Sequence, residues 1–188
     1  MRDVYESCPS IEGERFLLRL VSLEDCAELL KVYSDEKSVP LFNSDNCHGD
    51  DFHYTTLERM RSAIDFWLNS YANRYFVRWV IVDKLRSEAI GTIELFHRKA
   101  NDWFTDCGLL RLDLRSDYER TKEICDILSL IVPQAYDWFA CGVIATKAVP
   151  QAKERIRALE RLGFAAREEE LVGHDGTQYG DYFARMRE

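Results

Sequence analysis

Apolar and polar residues alternate along this chain with two periods, one typical of helices and one typical of strands. The clearest helical period covers residues 149–164, VPQAKERIRALERLGF. Its apolar positions share one face and its charged positions the other: Ala152, Ile156, Leu159 and Leu162 against Lys153, Glu154, Arg157, Glu160 and Arg161. Gly163 stands where a left-handed residue often ends a helix, and Phe164 follows it, placed to pack back on Leu159. The pattern predicts an amphipathic helix with a defined end.

Three other helices are predicted from their capping residues and apolar stripes. Ser22 with Asp25 starts the first, and Thr55 with Glu58 forms a capping box for the second. The third runs from about residue 121 to about residue 139. The stripes of the first two helices are Cys26, Leu29, Leu30 and Tyr33, and Leu57, Met60, Ile64 and Trp67. Each stripe predicts a helix with one buried face.

Seven runs rich in apolar and aromatic residues predict strands. They cover residues 15–21, 75–83, 89–98, 106–114, 143–146, 166–172 and 179–185. The polar tract 84–87 joins the second and third runs as a hairpin, and the His-Asp-Gly sequence at 174–176 supplies the turn between the last two. The order β-α-α-β-β-β-α-β-α-β-β predicts an α+β (mixed α/β) fold with helices on both faces of a mixed sheet. No linker or repeat interrupts this order, so we expect residues 1–188 to form a single domain.

Composition and charge narrow the class of function. The chain has 188 residues, of which 46 % are apolar, and a net charge of −8. This acidic balance argues against a general nucleic-acid or membrane-surface binder. The six cysteines show no CxxC or other metal-ligand spacing, and the first ten residues contain no apolar signal core. We therefore expect a reduced, cytoplasmic protein without a metal.

Three separated segments resemble one family, in the same order along the chain. They are GERFLLRLVSLEDCAELL (13–30), EAIGTIEL (88–95) and IRALERLGF (156–164). They resemble the GCN5-related N-acetyltransferases, the GNAT superfamily, and in particular its ribosomal-protein N-terminal acetyltransferase branch. The resemblance spans residues 13–186 and implies a central, mostly antiparallel seven-stranded sheet that is splayed between strands 4 and 5. It also implies direct transfer of acetyl from acetyl-CoA to a primary amine, on a small molecule or a peptide N-terminus. Homodimers are common in the family, and the oligomeric state stays open.

In this family acetyl-CoA lies in the cleft between the splayed strands. One strand offers backbone groups to the pantetheine arm, and the next loop, in which glycines follow an Arg or Gln, wraps the pyrophosphate at a helix N-terminus. The resemblance therefore implies a donor site formed by the following residues: Leu112, Leu114, Glu119, Arg120, Thr121, Lys122, Glu123, Ile124 and Arg155.

The donor loop departs from the family pattern. Glu119 stands where Arg or Gln is usual, and Arg120 and Lys122 stand at two glycine positions. In one interpretation, Arg120 and Lys122 bind phosphate through charge-assisted hydrogen bonds. In the other, their side chains fill the cradle and neighbouring carboxylates repel the phosphates. The second is favoured because close approach is a steric requirement that charge does not replace.

The catalytic groups common in the family are also replaced. Leu109 stands where Glu is frequent, and Ala152 and Arg155 stand where the fourth helix usually opens with Asn and Ser. Glu94 and Asp113 are the candidate catalytic carboxylates, although each also suits an ordinary half-exposed strand position. Without a base, a bound free amine could still react through proximity alone.

The polar loop at residues 43–55 is a candidate acceptor site. It contains His48, Asp50, Asp51 and His53, which could contact an acceptor, hold a metal or form an ordinary polar loop. No ligand spacing supports the metal. Tyr179 and Tyr182 are acceptor or packing residues of the last strand.

Three functions follow from these residues. The first is an acetyltransferase with acetyl-CoA as co-substrate. The second is a GNAT-fold protein with an impaired donor site that serves as a non-catalytic binding or regulatory module. The third is a transferase that uses a different acyl carrier. The substituted donor loop is the feature that separates them.

Overall fold

A computed structural model describes residues 3–187 and arranges the strands as one large sheet between two layers of helices. The helices are α1 (Cys26–Tyr33), α2 (Leu57–Ala72), α3 (Thr121–Trp138) and α4 (Lys153–Arg161). The strands are β1 (Ile11–Glu12), β2 (Phe16–Leu20), β3 (Val77–Asp83), β4 (Glu88–Arg98), β5 (Cys107–Leu114), β6 (Val143–Lys147), β7 (Ala165–Ala166), β8 (Leu171–Val172), β9 (Gln178–Tyr179) and β10 (Tyr182–Met186). This is the α+β architecture that the sequence predicts.

The main sheet contains eight strands in the order β1-β2-β3-β4-β5-β6-β10-β7. Its neighbouring strands are antiparallel, apart from the parallel pair β5 and β6. The single hairpin predicted from 166–172 and 179–185 is wrong in detail. β7 pairs with β10 in the main sheet, whereas β8 and β9 form a separate two-stranded hairpin. The charged run 167–170, Arg-Glu-Glu-Glu, separates β7 from β8, so one predicted strand became two.

The parallel pair parts before β5 ends. β5 and β6 pair over four positions, the last being Leu110 with Thr146. β5 then continues to Leu114 without a partner on this side, while β6 ends at Lys147. This separation confirms the splay that the resemblance implied between the fourth and fifth predicted strands.

The alternation of side chains assigns the two faces of the sheet. Trp79 and Ile81 of β3 belong to the core beneath α3 and α4, and Val80 belongs to the core beneath α1 and α2. In β5, Leu112 belongs to the α3 side, so Arg111 faces the α1–α2 side. All eight residues of β5 are buried. A buried arginine in the middle of a strand needs polar or charged partners, and the candidate functional site lies around Arg111.

Helix α4 ends as the sequence predicts. Gly163 adopts φ +80°, the left-handed conformation. The Phe164 amide donates to the Leu159 carbonyl (2.9 Å), and the Gly163 amide donates to the Glu160 carbonyl (3.1 Å). These two bonds form a Schellman motif, and Phe164 and Leu159 are buried in the same core.

Helix α2 begins one residue later than predicted. The Thr56 hydroxyl, and not that of Thr55, accepts a hydrogen bond from the Arg59 amide at 3.2 Å. The shift places Leu57 in the first turn on the solvent side, where it is exposed and not part of the buried stripe. The other three predicted positions of the stripe are buried.

Helix α3 is the longest helix and contains Pro133. It packs against α4, β1 and β6. Among residues 3–187 there is no helix long and apolar enough to cross a membrane.

Candidate functional site

A cavity of about 770 Å³ lies between α2, the loop at residues 45–54 and the strands β3, β4 and β5. Aromatic side chains make up much of its wall: Phe52, Tyr54, Phe66, Trp67, Tyr75, Phe76, Phe96 and Tyr182. A large cavity with apolar walls and a few convergent polar groups is the usual form of a small-molecule site.

The cavity floor carries a ladder of buried charges across three strands. Arg111 Nη1 lies 2.6 Å from Glu94 Oε1, and Arg78 Nη2 pairs with the other oxygen of the same carboxylate. Arg78 Nη1 also lies 3.0 Å from Asp113 Oδ2. Each of the four residues is 8 % exposed or less. Such groups are stable in the interior only because each charge has an opposite partner.

Strand register explains the ladder. Arg78 of β3 lies opposite Glu94 of β4, and Glu94 lies opposite Arg111 of β5. Side chains directly opposite each other point to the same face, so the three charges meet in a row. Trp67 from α2 covers the row, with the Arg78 guanidinium 4.2 Å from its ring centroid.

The two predicted catalytic carboxylates occupy different positions. Glu94 lines the cavity, whereas Asp113 lies on the same face of the sheet outside the cavity, where it accepts a hydrogen bond from Tyr33 and is fully buried. Burial alone would raise the pKa of Glu94, but the guanidiniums of Arg78 and Arg111 outweigh burial and lower that pKa. Burial raises the pKa of Asp113 despite the charge of Arg78. Glu94 is therefore an ionised anchor for two arginines.

Two arginine donors at the floor lack an acceptor. The Nε atoms of Arg78 and Arg111 are buried and have no hydrogen-bond partner among the described residues, and the same holds for Asp113 Oδ1. Both arginines line the cavity. A buried N–H without an acceptor is costly. Sequence reasoning missed both residues, although a charged residue in the middle of an apolar strand, as in VRWVIVD, was a usable signal.

The loop at residues 43–55 contributes to this cavity only in part. His48 and Asp50 line the cavity, Asp51 lines a smaller neighbouring cavity of about 310 Å³, and His53 lines neither. Asp50 binds Arg59. Within residues 3–187, no group of three metal-ligating side chains lies close enough to hold a metal ion.

The last strands contribute one of the two predicted tyrosines to the large cavity. Tyr182 lines it, and its hydroxyl donates to Asp45 Oδ2 at 3.1 Å. Asp45 also pairs with Lys147, with Nζ to Oδ2 at 2.7 Å. Tyr179 lines the smaller cavity instead.

The donor cleft begins where the parallel strands β5 and β6 separate, and it contains the side chain of Arg155. Its Nη1 donates to the carbonyls of Leu112 (2.9 Å) and Leu41 (3.0 Å). Its other nitrogens bind the carboxylate of Glu119. Leu112 lies on the strand that the family resemblance assigned to the pantetheine arm, and its carbonyl already has a partner.

The start of α3 holds a carboxylate from the same chain. Glu154 Oε2 accepts from the Thr121 amide (3.0 Å) and the Thr121 hydroxyl (2.6 Å). Thr121 is the first residue of α3. The N-terminal end of a helix favours an anion, because its amides are unpaired and its dipole is positive there. The resemblance placed the pyrophosphate at this position.

The remaining donor-loop residues lie around this helix start. Arg120 is its N-cap and is exposed. Lys122 is also exposed and pairs with Asp126 at 2.5 Å, and Glu123 pairs with Arg15 at 3.3 Å. Two further members are apolar and fully buried: Leu114 and Ile124.

Two side chains of α4 bind backbone groups of the donor cleft that the resemblance assigned to acetyl-CoA. Arg155 occupies the strand end of the cleft, and Glu154 occupies the anion position. Arg120 and Lys122, the residues on which the sequence interpretations centred, do not fill it. The occupants come from the start of α4.

Comparisons with known proteins agree on one family. The sequence profile described as an acetyltransferase (GNAT) domain matches residues 15–165. The ribosomal-protein-S5-alanine acetyltransferase from Vibrio fischeri is similar in structure (TM-score 0.68, 17 % identity, covering 95 % of this chain and 96 % of that one). No curated protein sequence matches the chain significantly.

Two further similar structures contain the donor or its carrier. RimJ from Mycobacterium smegmatis, in complex with CoA-disulfide, has a TM-score of 0.69 at 15 % identity, covering 94 % of this chain and 85 % of that one. The microcin C7 self-immunity acetyltransferase MccE, in complex with acetyl-CoA and AMP, has a TM-score of 0.70 at 12 % identity, covering 93 % and 94 %. At such identities the likeness establishes the fold.

Proposed function

Because the chain belongs to the GNAT acetyltransferase family, we propose that it transfers an acetyl group from acetyl-CoA to a primary amine bound in the aromatic cavity. The acceptor is a small amine or a peptide N-terminus. The observation that supports this proposal is the position of the cavity. Leu109 and Arg111 line it and flank Leu110, the last residue of β5 that pairs with β6. An amine in the cavity therefore lies beside the point where the donor cleft begins.

The carboxylates around the cavity position an acceptor and are not free to act as its base; three histidines, His48, His97 and His174, also line the cavity. Four carboxylates line the cavity, and each has a hydrogen-bonded or ionic partner: Asp45, Asp50, Glu94 and Asp102. Catalysis without a carboxylate base would therefore depend on the orientation of the bound amine. The amine has to arrive in its neutral form, so the rate should rise with pH until it reaches the pKa of the acceptor amine.

The test is a screen of primary amines and short peptides with acetyl-CoA, in which released thiol and the mass of acetylated product are measured. Ala63→Leu narrows the cavity from α2, where Ala63 is buried. Ala72→Leu adds the same bulk at an exposed position of the same helix. We expect the first variant to raise the KM for the amine and the second to leave it unchanged. If no amine is acetylated, the transferase proposal is wrong.

The occupied donor cleft favours a second candidate, a non-catalytic binding module that uses the aromatic cavity alone. Arg155 and Glu154 each satisfy the groups that a donor would contact. In this case amines would bind in the cavity, measured by quenching of Trp67 fluorescence, without release of thiol from acetyl-CoA. The two candidates thus differ in one measurable product.

A further inference from the structure

Two consecutive residues at the start of α4, Glu154 and Arg155, bind neighbouring parts of the donor cleft. Arg155 is 2 % exposed. Arg157, two residues later on the same helix, has a side chain that is 62 % exposed. The contrast shows that the side chain of Arg155 is held inside the fold, whereas that of Arg157 is solvated.

Arg155 bridges three segments that would otherwise border an open cleft. It binds the Leu112 carbonyl of β5, the Leu41 carbonyl of the short turn after α1, and the Glu119 carboxylate before α3. The guanidinium and the carboxylate neutralise each other in a buried position. A pantetheine arm would have to break these bonds before it could reach Leu112.

Glu154 acts at the start of α3, next to the Arg155–Glu119 pair, with the opposite charge to Arg155. Its carboxylate accepts two hydrogen bonds from Thr121 at the start of α3, and these bonds lower its pKa. A carboxylate at a helix N-terminus stands in for the phosphate that such a site binds. The hydroxyl and amide of Thr121 are therefore unavailable to a pyrophosphate.

We propose that the first turn of α4 is an internal gate of the donor cleft, in which Arg155 replaces the pantetheine contact and Glu154 replaces the pyrophosphate. Because the two residues are consecutive, one movement of this turn withdraws both. The inference extends the proposed function, since it states what must happen before acetyl-CoA binds.

The test is calorimetric titration of the full chain with desulfo-CoA, which carries the phosphates and the pantetheine arm and cannot transfer acetyl. Arg155→Ser with Glu119→Gln removes both buried charges together, so neither is left unpaired. Glu154→Ala changes a half-buried residue, and this variant is expected to fold even if the double variant does not. Arg161→Ser, an exposed change on the same helix, is the control.

We expect the double variant to bind desulfo-CoA at least tenfold more tightly than the unmodified chain, Glu154→Ala several-fold more tightly, and the control equally. Tighter binding by the unmodified chain would overturn the gate and make Arg155 a donor ligand, as the family resemblance implied. Equal affinity in all folded variants would overturn it as well.

The outcomes also separate the gate from the proposed function. If the unmodified chain binds desulfo-CoA tightly and acetylates an amine, the gate is wrong and the function stands. If the variants gain binding but no amine is ever acetylated, the gate stands and the function is wrong.

Discussion

The guanidinium Nη1 of Arg155 lies 2.9 Å from the carbonyl oxygen of Leu112, on the part of β5 that has left its parallel neighbour. In this fold an unpaired strand end offers its backbone to whatever enters the cleft. In this protein the side chain of Arg155, from the same chain, binds that backbone. The side chains that occupy the donor cleft therefore lie on α4 and not in the donor loop.

Restoring the loop glycines should not be sufficient to restore donor binding. Arg120→Gly with Lys122→Gly removes two exposed side chains and leaves Arg155 and Glu154 in place. We expect its affinity for desulfo-CoA to stay within about threefold of that of the unmodified chain, which corresponds to about 0.6 kcal/mol. Calorimetry measures it. A tenfold gain from the loop change alone would show that the loop side chains, and not α4, exclude the donor.

Glu94 should be one of the most important residues for stability. Glu94→Gln leaves Arg78 and Arg111 without the anion that both share, and an uncompensated buried charge costs about 3–5 kcal/mol. Urea unfolding measures the loss. Glu123→Gln, which breaks a half-exposed pair with Arg15, should cost about 1 kcal/mol or less. A similar small loss in both variants would contradict the account of the buried ladder.

The guanidinium of Arg111 at the cavity wall predicts a preference among ligands. An amine that carries a carboxylate, such as phenylalanine, should bind about tenfold more tightly than phenethylamine, because a charge-assisted hydrogen bond to this guanidinium contributes about 1.4 kcal/mol. In Arg111→Lys this preference should disappear, since lysine lacks the second donor edge. Fluorescence titration of the unmodified chain and of the variant with each ligand measures the affinities to be compared. Equal binding of the two amines by the unmodified chain would refute it.

Glu88 predicts a dependence of stability on pH. Hydrogen bonds from Arg115 and Lys31 lower its pKa from 4.5 to about 2. A depressed carboxylate stabilises the folded state above the unfolded pKa and loses that contribution as the pH falls through the folded pKa. Glu88→Gln should therefore cost about 1 kcal/mol at pH 7, and the difference from the unmodified chain should shrink below about pH 4.5. Urea unfolding at several pH values measures it; a difference that grows towards acid would reverse the sign and contradict the assignment.

Most of the architecture could be predicted from the sequence because local signals agreed with one another. The turn at Gly163 needs only a glycine after an amphipathic helix, and the structure places it at φ +80°. The failures occurred where neighbouring residues compete. Thr55 and Thr56 are equally suitable caps by composition, and the contact with the Arg59 amide selects Thr56.

The candidate site was harder to predict, because its main features join distant parts of the chain. Glu94 was found as a lone carboxylate in a strand, but its partners Arg78 and Arg111 become visible only when the registers of three strands are known. Arg155 was assigned to the donor site by resemblance. That its side chain reaches Glu119, 36 residues earlier, follows from the packing of α4 against α3.

The ladder of Arg78, Glu94 and Arg111 also has a consequence for how the sheet assembles. Because side chains alternate between faces, a slip of β4 by one residue would send Glu94 into the apolar core beneath α3 and leave Asp113 as the one carboxylate of the ladder beside two guanidiniums. A shifted register of these three strands thus has an electrostatic cost. Purely apolar strands could pair in several registers without that cost. We expect these buried charges to favour the observed register of the central sheet over a shifted one during folding.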